Sequence, residues 1–344
     1  MTENSSAINT LLSRLTDRQR AVIVNRFGLE GKEPQTLATI GEVFGITRER
    51  VRQIEVGSIT ILRSDFLKNK SLGALVNEVE KSLKKIGGVS KEEDLVKSAS
   101  SLSGAGEING SHLVFLARVS EQFFFSPETE DRYAFFYSDE KTLKKAEGII
   151  AKLSKYMNAR QEKIASGSGR ELLNSFIRTE KVDESFVVRC VSISRAFHVN
   201  AFGDFGMAAW PEIQPQTIRD RIYLILKKKK EPMHFRNIAE SINDVGLGKK
   251  MALVPTVHNE LIKDQRFILV GRGMYALQEH GFEPGTARDV IARILKTKGP
   301  LSSEEIVLAV QKERFFKPNT VVANLQNKKN FHRRSDGLYQ VREA

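Results

Sequence analysis

The sequence predicts a mainly α-helical protein with small β wings, in which an N-terminal helix-turn-helix precedes tandem winged-helix domains. Three observations support this fold class. Apolar residues recur at helical spacing near the N-terminus, with a break at Gly45. The C-terminal part repeats itself, since "TIRDRIYLILKKKKEP" at 217–232 resembles "TARDVIARILKTKGP" at 286–300. Each repeat ends in aromatic and β-branched residues around a glycine, which is typical of a β hairpin.

Helical periodicity divides the first predicted domain, residues 1–70, into short helices. Apolar residues recur near helical spacing over 11–29, as one helix or as two, and Gly28 stands where a helix would stop. A short helix is predicted over 36–43, and it ends before the break at Gly45. These segments are expected to pack as a small helical domain.

A longer helix is predicted after this break, with Thr47 as its cap and an end near Leu67. Gly57 is expected to interrupt it, at a cost of about 1 kcal/mol relative to alanine. A helix, a three-residue turn and a second helix form the helix-turn-helix plan. In that plan the second helix lies in the major groove of DNA.

The first turns of this second helix carry side chains that suit base edges. Arginine donates two hydrogen bonds to guanine, glutamate accepts one from cytosine, and glutamine pairs with adenine. Val51 and Ile54 point to the core with Ile46. Four positions share the outward face: 49, 52, 53 and 56. A solvated charged helix is the alternative, and the turn, cap and core positions together favour DNA binding.

The string "LTDRQRAVIVNRFGLEGKEPQTLATIGEVFGITRERVRQIE" at 15–55 resembles region four of the housekeeping bacterial sigma factors, which reads the promoter −35 element. "TRERVRQIE" is among the most specific strings of that family. The resemblance implies that three residues read bases: Arg48, Glu49 and Gln53. It implies that five contact phosphates: Arg18, Arg26, Thr47, Arg50 and Arg52. In the family this domain also docks on the flap of the polymerase β subunit.

The sequence departs from the pattern of a complete sigma factor in two ways. A sigma factor carries region four at its C-terminus, whereas here the segment begins at about residue 11. The family usually continues after Glu55 with a basic helix end, whereas this chain has Val56, Gly57 and Ser58, which reduces the contact with phosphates. We therefore expect a sigma-derived regulator rather than a complete promoter-opening factor.

The C-terminal repeat predicts two further domains, residues 215–280 and 281–344. Six residues recur at a constant offset of 64: Thr256, Val257, Leu261, Phe267, Gly273 and Tyr275 recur as Thr320, Val321, Leu325, Phe331, Gly337 and Tyr339. Each copy is predicted as three helices closed by a hairpin, near 266–277 and 330–341. Three helices closed by a hairpin form a winged helix.

The first copy, 217–277, resembles the HARE-type winged helix, which is similar to the N-terminal domain of the RNA polymerase delta subunit. The resemblance rests on Pro232, His234 and Phe235 ahead of a helix, and on "GRGMYAL" at 271–277. It implies contacts with DNA or with polymerase surfaces. Four cations beside the last hairpin are candidate phosphate contacts: Lys328, Lys329, Arg333 and Arg334.

The middle of the chain gives weaker signals. Residues 71–138 are predicted to hold a third winged-helix copy. Its aromatic residues at 123–125 and 135–137 are expected to form a sheet core rather than to stack on bases. Residues 139–214 are predicted to be a helical connector of unknown role. The stretch "VNAFGDFGMAAWPEIQPQ" has no assignment.

Charge and composition narrow the classes of partner. The chain has 344 residues and a net charge of +12, and residues 215–344 hold 24 Lys and Arg against 14 Asp and Glu. Such a surplus is compatible with nucleic acid or with an acidic protein surface. No apolar run reaches the ~20 residues that a membrane span needs, and the N-terminus lacks a signal pattern. We expect a cytoplasmic, nucleoid-associated protein with no membrane partner.

Catalytic and metal-binding patterns are missing from the sequence. Cys190 is the single cysteine, which excludes an internal disulfide and a multi-thiolate metal site. The six histidines have no partner at metal-ligand spacing. The sequence contains no glycine-lysine phosphate loop and no G-x-S-x-G motif. We therefore expect no enzyme activity, no metal and no cofactor.

These features predict a sequence-specific DNA-binding transcription regulator or accessory initiation protein that binds a −35-like element in double-stranded DNA. The leading alternative is a delta-like protein that binds core RNA polymerase and uses its region-four domain to dock on the β flap. A nuclease is a weaker alternative, because no Asp-x-Glu-x-Lys set lies near a predicted strand.

Overall fold

The computed structural model describes residues 3–101, 108–160, 169–282, 285–313 and 316–342. Within these residues the chain is mainly α-helical with small antiparallel sheets, as the sequence predicts. Its contacts divide it into two compact units. The first unit comprises Met1–Val199 and Asp204–Ala208, and the second comprises Asn200–Gly203 and Ala209–Ala344. The five domain boundaries drawn from the sequence stay a prediction.

The first unit begins with four helices: α1 (Glu3–Leu12), α2 (Asp17–Phe27), α3 (Leu37–Phe44) and α4 (Arg48–Phe66). The segment 11–29 contains the end of one helix and the whole of the next, because the Thr16 hydroxyl accepts a backbone amide and starts α2. Gly28 ends α2 in the left-handed region, at a φ of 65°. The expected interruption at Gly57 is wrong, since α4 continues through that residue.

Three helices and three strands follow in the same unit: α5 (Lys70–Lys85), β1 (Val89–Lys91), α6 (Glu92–Ser100), α7 (Gly110–Ser120), β2 (Phe124–Ser126) and β3 (Phe135–Tyr137). The strands form an antiparallel sheet in the order β1-β3-β2, in which Tyr137 lies opposite both Val89 and Phe124. Phe123, Phe135 and Phe136 are fully buried, which confirms the predicted core position of these three aromatic residues, whereas the other three at 123–125 and 135–137 are half-buried.

The remainder of the first unit contains three helices and a hairpin: α8 (Glu140–Asn158), α9 (Gly169–Glu180), α10 (Glu184–Ile193), β4 (Phe197–Val199) and β5 (Phe205–Met207). The sequence predicts only a helical connector over 139–214. The two strands correct this picture, because they pair antiparallel inside the stretch that has no assignment. Phe197 stacks on Phe205 across this hairpin, with ring centroids 5.9 Å apart.

The second unit contains two copies of the same order of helices and hairpin strands, and the first copy has one additional short strand. Its first copy contains α11 (Ile218–Lys229), β6 (Met233–His234), α12 (Phe235–Val245), α13 (Val254–Lys263), β7 (Phe267–Gly271) and β8 (Met274–Leu277). Its second copy contains α14 (Ala287–Lys298), α15 (Ser303–Glu313), α16 (Pro318–Leu325), β9 (Phe331–Arg333) and β10 (Tyr339–Val341). Both hairpins predicted from the sequence are therefore present.

A third strand position joins each of these two hairpins. In the first copy β6 pairs with β8, which gives the order β6-β8-β7. In the second copy a single bridge joins Leu301 to Tyr339 on β10. Each copy encloses its own hydrophobic cluster. Among the described residues, no helix has both the length and the apolar character that crossing a bilayer requires.

Candidate nucleic-acid interface

The turn between α3 and α4 is fixed by the residues at the two helix ends. The Thr36 hydroxyl accepts the Thr39 amide at 3.1 Å and so starts α3. Gly45 ends α3 in the left-handed region, at a φ of 61°. The Thr47 hydroxyl accepts the Arg50 amide at 3.2 Å and so starts α4. The sequence places all of these boundaries to within one residue.

Gly41 allows the two helices to approach closely. It is buried in α3, and a Cβ atom at this position would lie 2.7 Å from the Ile46 backbone oxygen. Beneath the turn, Val22, Ile40 and Val51 form a small buried cluster. Ile46 of the turn and Ile54 of α4 pack against this cluster, as the sequence predicts. The inner face of α4 therefore rests on a core, and its orientation is set by packing.

The opposite face of α4 is open to solvent. Five polar side chains at its start are exposed: Arg48, Glu49, Arg50, Arg52 and Gln53. Val56 extends this face by one turn and is 43% exposed. The structure therefore brings together all three predicted base-reading residues and three of the five predicted phosphate contacts, since Thr47 lies at the cap of the same helix.

The exposed side chains are paired with one another along α4. The Arg52 guanidinium donates to both oxygens of the Glu49 carboxylate, at 2.9 and 2.8 Å. This hydrogen bond lowers the pKa of Glu49 below its usual value of 4.5. The Arg50 guanidinium donates to the Gln53 side-chain oxygen at 3.1 Å. The Arg48 side chain is exposed, and its guanidinium makes no hydrogen bond with the described residues, so it is available to a ligand.

The two predicted phosphate contacts on α2 differ in their surroundings. Arg18 is exposed. Arg26 is half-buried, and its guanidinium donates to the Gln35 backbone oxygen at 2.9 Å. It also lies 3.7 Å from the carboxylate of Glu55, which is buried on the inner side of α4. These contacts tie α2 to the following loop and to α4.

Sequence reasoning missed the roles of Glu55 and Gly41. Glu55 follows Val51 by four residues, so helical spacing places it on the core face, where a carboxylate requires a cationic partner. Gly41 lies within a helix, where glycine is unfavourable unless another part of the chain approaches closely. Both signals were present in the sequence, and each depends on knowing which face of the helix is buried.

The four candidate cations beside the last hairpin belong to the second unit. Lys328 and Lys329 are exposed at the turn that follows α16. Arg333 donates to the Gly337 backbone oxygen at 3.3 Å, and Arg334 lies 3.5 Å from the Asp336 carboxylate. The two arginines therefore support the hairpin turn. Within the described residues, no three His, Cys, Asp or Glu side chains group as metal ligands.

Comparison with known protein families gives one match that covers this interface. Residues 11–64 match the family model for Sigma-70, region 4. No solved structure matches the chain. The matched segment spans the last residues of α1, all of α2 and α3, and nearly all of α4. This region-four segment is a DNA-binding helix-turn-helix of the kind that acts in transcription, and the exposed face of α4 belongs to it.

Proposed function

We propose that the protein is a sequence-specific transcription regulator or accessory initiation protein, which reads a −35-like element in duplex DNA through α4. The observation that carries this proposal is the exposed row of Arg48, Glu49 and Gln53 on a helix inside the region-four segment. A helix fits the major groove, where each base pair presents a distinct pattern of donors and acceptors. Polar side chains on the open face are what such reading requires.

The contacts along α4 indicate how each side chain meets DNA. Arg48 suits the two acceptors of guanine. The Gln53 oxygen accepts from Arg50, which leaves its amide group to donate to adenine N7. Glu49 accepts from the cytosine amino group when one of its two bonds to Arg52 opens. Arg52 then remains beside the groove, next to the phosphates.

The expected phosphate contacts support this reading to different degrees. Arg18, Arg50 and the helix start at Thr47 face solvent, where a DNA strand beside α4 would pass. Arg26 supports the role least, because its guanidinium already bridges α2, a loop and α4. Contacts of this kind fix orientation and add affinity without reading sequence.

The repeated helices and hairpins support a second part of the proposal. Each copy in the second unit has three helices, a hairpin and an added strand position, which is the order of a winged helix. Residues 71–138 have the same order. We assign them as tandem winged-helix domains, similar to the HARE type and to the polymerase delta subunit, that extend the contact to DNA or core RNA polymerase.

Selection from random duplexes with the full chain tests the proposal. We expect an enriched motif that resembles a −35 element, and loss of that preference in the Arg48→Ala, Gln53→Ala double variant. Arg20→Ala is the control, since Arg20 lies on α2, outside α4, and pairs with Glu30 of the loop that follows α2. Absence of any enriched motif would contradict base reading. Polymerase binding that persists without a DNA preference would support the docking alternative.

A further inference from the structure

The two copies in the second unit differ in charge at equivalent positions. Helices α11 and α14 both start with a capping box, formed by Thr217 with Asp220 and by Thr286 with Asp289. This match makes Arg219 and Arg288 equivalent, since each precedes the capping aspartate. The offset of 64 places Asn324 and Lys328 of the second copy at the positions of two acidic residues of the first.

In the first copy, the arginine at the start of α11 forms ion pairs with the two acidic residues at these positions. The Arg219 guanidinium donates to the Glu260 carboxylate at 2.8 and 3.1 Å. It also lies 3.4 Å from the Asp264 carboxylate. Asp264 in turn accepts from Arg266 at 2.7 Å, and this hydrogen bond lowers the pKa of Asp264 below its usual value. The surface joining α11 and α13 therefore has paired charges.

In the second copy the acidic partners have been replaced. Asn324 stands where the first copy has Glu260, and Lys328 stands where it has Asp264. The Asn324 amide donates to a backbone oxygen of its own helix, that of Thr320, at 2.8 Å. Arg288 has one ion-pair partner among the described residues, the adjacent capping residue Asp289, at 3.5 Å. The substitutions leave a surplus of positive charge.

The turn that carries the lysines is held in place by its own hydrogen bonds. The Asn327 side-chain oxygen accepts the Lys329 amide at 3.1 Å, and the Asn327 backbone oxygen accepts the Asn330 amide at 3.0 Å. Arg342 donates to the Lys328 backbone oxygen at 2.9 Å. The side chains of Lys328 and Lys329 are exposed and make no hydrogen bond or ion pair with the residues described.

We propose that Arg288, Lys328 and Lys329 form a second nucleic-acid site, which binds the phosphate backbone of duplex DNA without regard to sequence. Because the turn is already fixed, its two lysines can bind a ligand at little cost in backbone entropy. The DNA backbone is a polyanion whose phosphates such cations neutralise. The site is independent of base reading by α4. Its two lysines lie at the turn after α16 and Arg288 lies at the start of α14, whereas Arg333 and Arg334 make their contacts within the hairpin.

The salt dependence of binding to an unrelated duplex tests this site in the full chain. Each phosphate contact contributes about 0.9 to the slope of log K against log salt concentration. For the Lys328→Ala, Lys329→Ala variant we expect the slope to fall by about 1.8 and the affinity near 0.1 M salt to drop roughly sixtyfold, which is about eightfold for each of the two contacts. Lys249→Ala with Lys250→Ala is the control, because it removes two exposed lysines from the first copy.

An unchanged slope, or an equal fall in the control, would overturn the proposal. A second variant, Asn324→Glu with Lys328→Asp, restores the acidic pair of the first copy at the equivalent positions of the second copy. It should fold with undiminished thermal stability and lose the same part of the slope. Because an unrelated duplex is used, failure of base reading by α4 leaves this result unaffected. An enriched motif with an unchanged slope would disprove the second site alone.

Discussion

The Glu49 carboxylate accepts two hydrogen bonds from the Arg52 guanidinium, at 2.9 Å from Nε and 2.8 Å from Nη2. Both side chains are more than half exposed, so the pair adds little to folding stability. Its consequence is geometric. Arg52 holds the carboxylate on the outward face of α4, and an ionised carboxylate is the form that accepts a hydrogen bond from cytosine.

Arg52→Ala should raise the pKa of Glu49 towards 4.5, because the strongest hydrogen bond to the carboxylate is lost. The ion pair stabilises the charged form, so its contribution is present above the unfolded-state pKa and disappears as pH falls through the lowered folded-state pKa. NMR titration of the Glu49 side chain measures the shift. Arg18→Ala is the control, and an unchanged Glu49 pKa in Arg52→Ala would show that the pair does not form in solution.

Gly41→Ala should lower the free energy of unfolding by about 1–3 kcal/mol, since the new Cβ meets the Ile46 backbone oxygen. Gly57→Ala provides the matched control. Nothing lies within 4 Å of a Cβ at that position, and alanine in a helix interior is favoured by about 1 kcal/mol over glycine. Urea denaturation measures both variants. Equal effects of the same sign would show that Gly41 has no special packing role.

The region-four segment shares its hydrophobic core with the following helices. Phe27 of α2 meets Phe115 of α7 edge to face, with ring centroids 5.6 Å apart. The Arg63 guanidinium on α4 donates to the Val119 backbone oxygen at 3.1 Å and pairs with Glu121 at 2.6 Å. These contacts bind the end of α7, whose last carbonyl groups lack helical partners. The family match ends at residue 64, and the packing continues beyond it.

Phe115→Ala should destabilise α2 and α4 as well as its own helix. A fully buried phenylalanine truncated to alanine costs about 3–5 kcal/mol, because a cavity remains. Amide hydrogen exchange measures the effect, and we expect faster exchange in all three helices. Val43→Ala, at a residue that is 69% exposed, should change exchange little. Faster exchange in α7 alone, with unchanged exchange in α2 and α4, would show that the region-four segment folds independently of α7.

Arg26→Gln should reduce stability and leave the salt dependence of DNA binding unchanged. The guanidinium connects α2 to Gln35 and Glu55, and loss of this contact leaves the buried Glu55 carboxylate without its partner, at about 1–3 kcal/mol. Urea denaturation and salt titration of duplex binding give the two readouts. A slope that falls by about 0.9 with stability retained would assign Arg26 to a phosphate instead.

Local signals in the sequence predict the helix-turn-helix closely. Thr36, Gly45 and Thr47 set helix boundaries through hydrogen bonds within a few residues, so their chemistry can be read without knowledge of the fold. The hairpins of the second unit are equally local, because a glycine turn separates aromatic and β-branched residues. The internal repeat strengthens the prediction of these hairpins, because both copies carry the same pattern of residues.

Other features have no clear signal in the local sequence. The hairpin of β4 and β5 lacks a clear alternation of apolar and polar residues, and the glycines around Phe205 obscure its pattern. The packing of α7 on α2 depends on Phe27 and Phe115, which are far apart in sequence. The pairing of Glu49 with Arg52 is local, yet both residues also suit DNA contacts, so spacing alone does not separate the two roles.

A thermodynamic cycle on Gln53 tests the central claim most directly. The affinities of the wild-type chain and of Gln53→Ala are measured for the selected duplex and for duplexes with each base pair changed in turn. At one position, the change of base pair should cost the wild type about 1–3 kcal/mol of binding free energy. The same change should cost the variant almost nothing, because the residue that reads that base pair is absent. Equal costs in both proteins at every position would contradict base reading by Gln53 on α4.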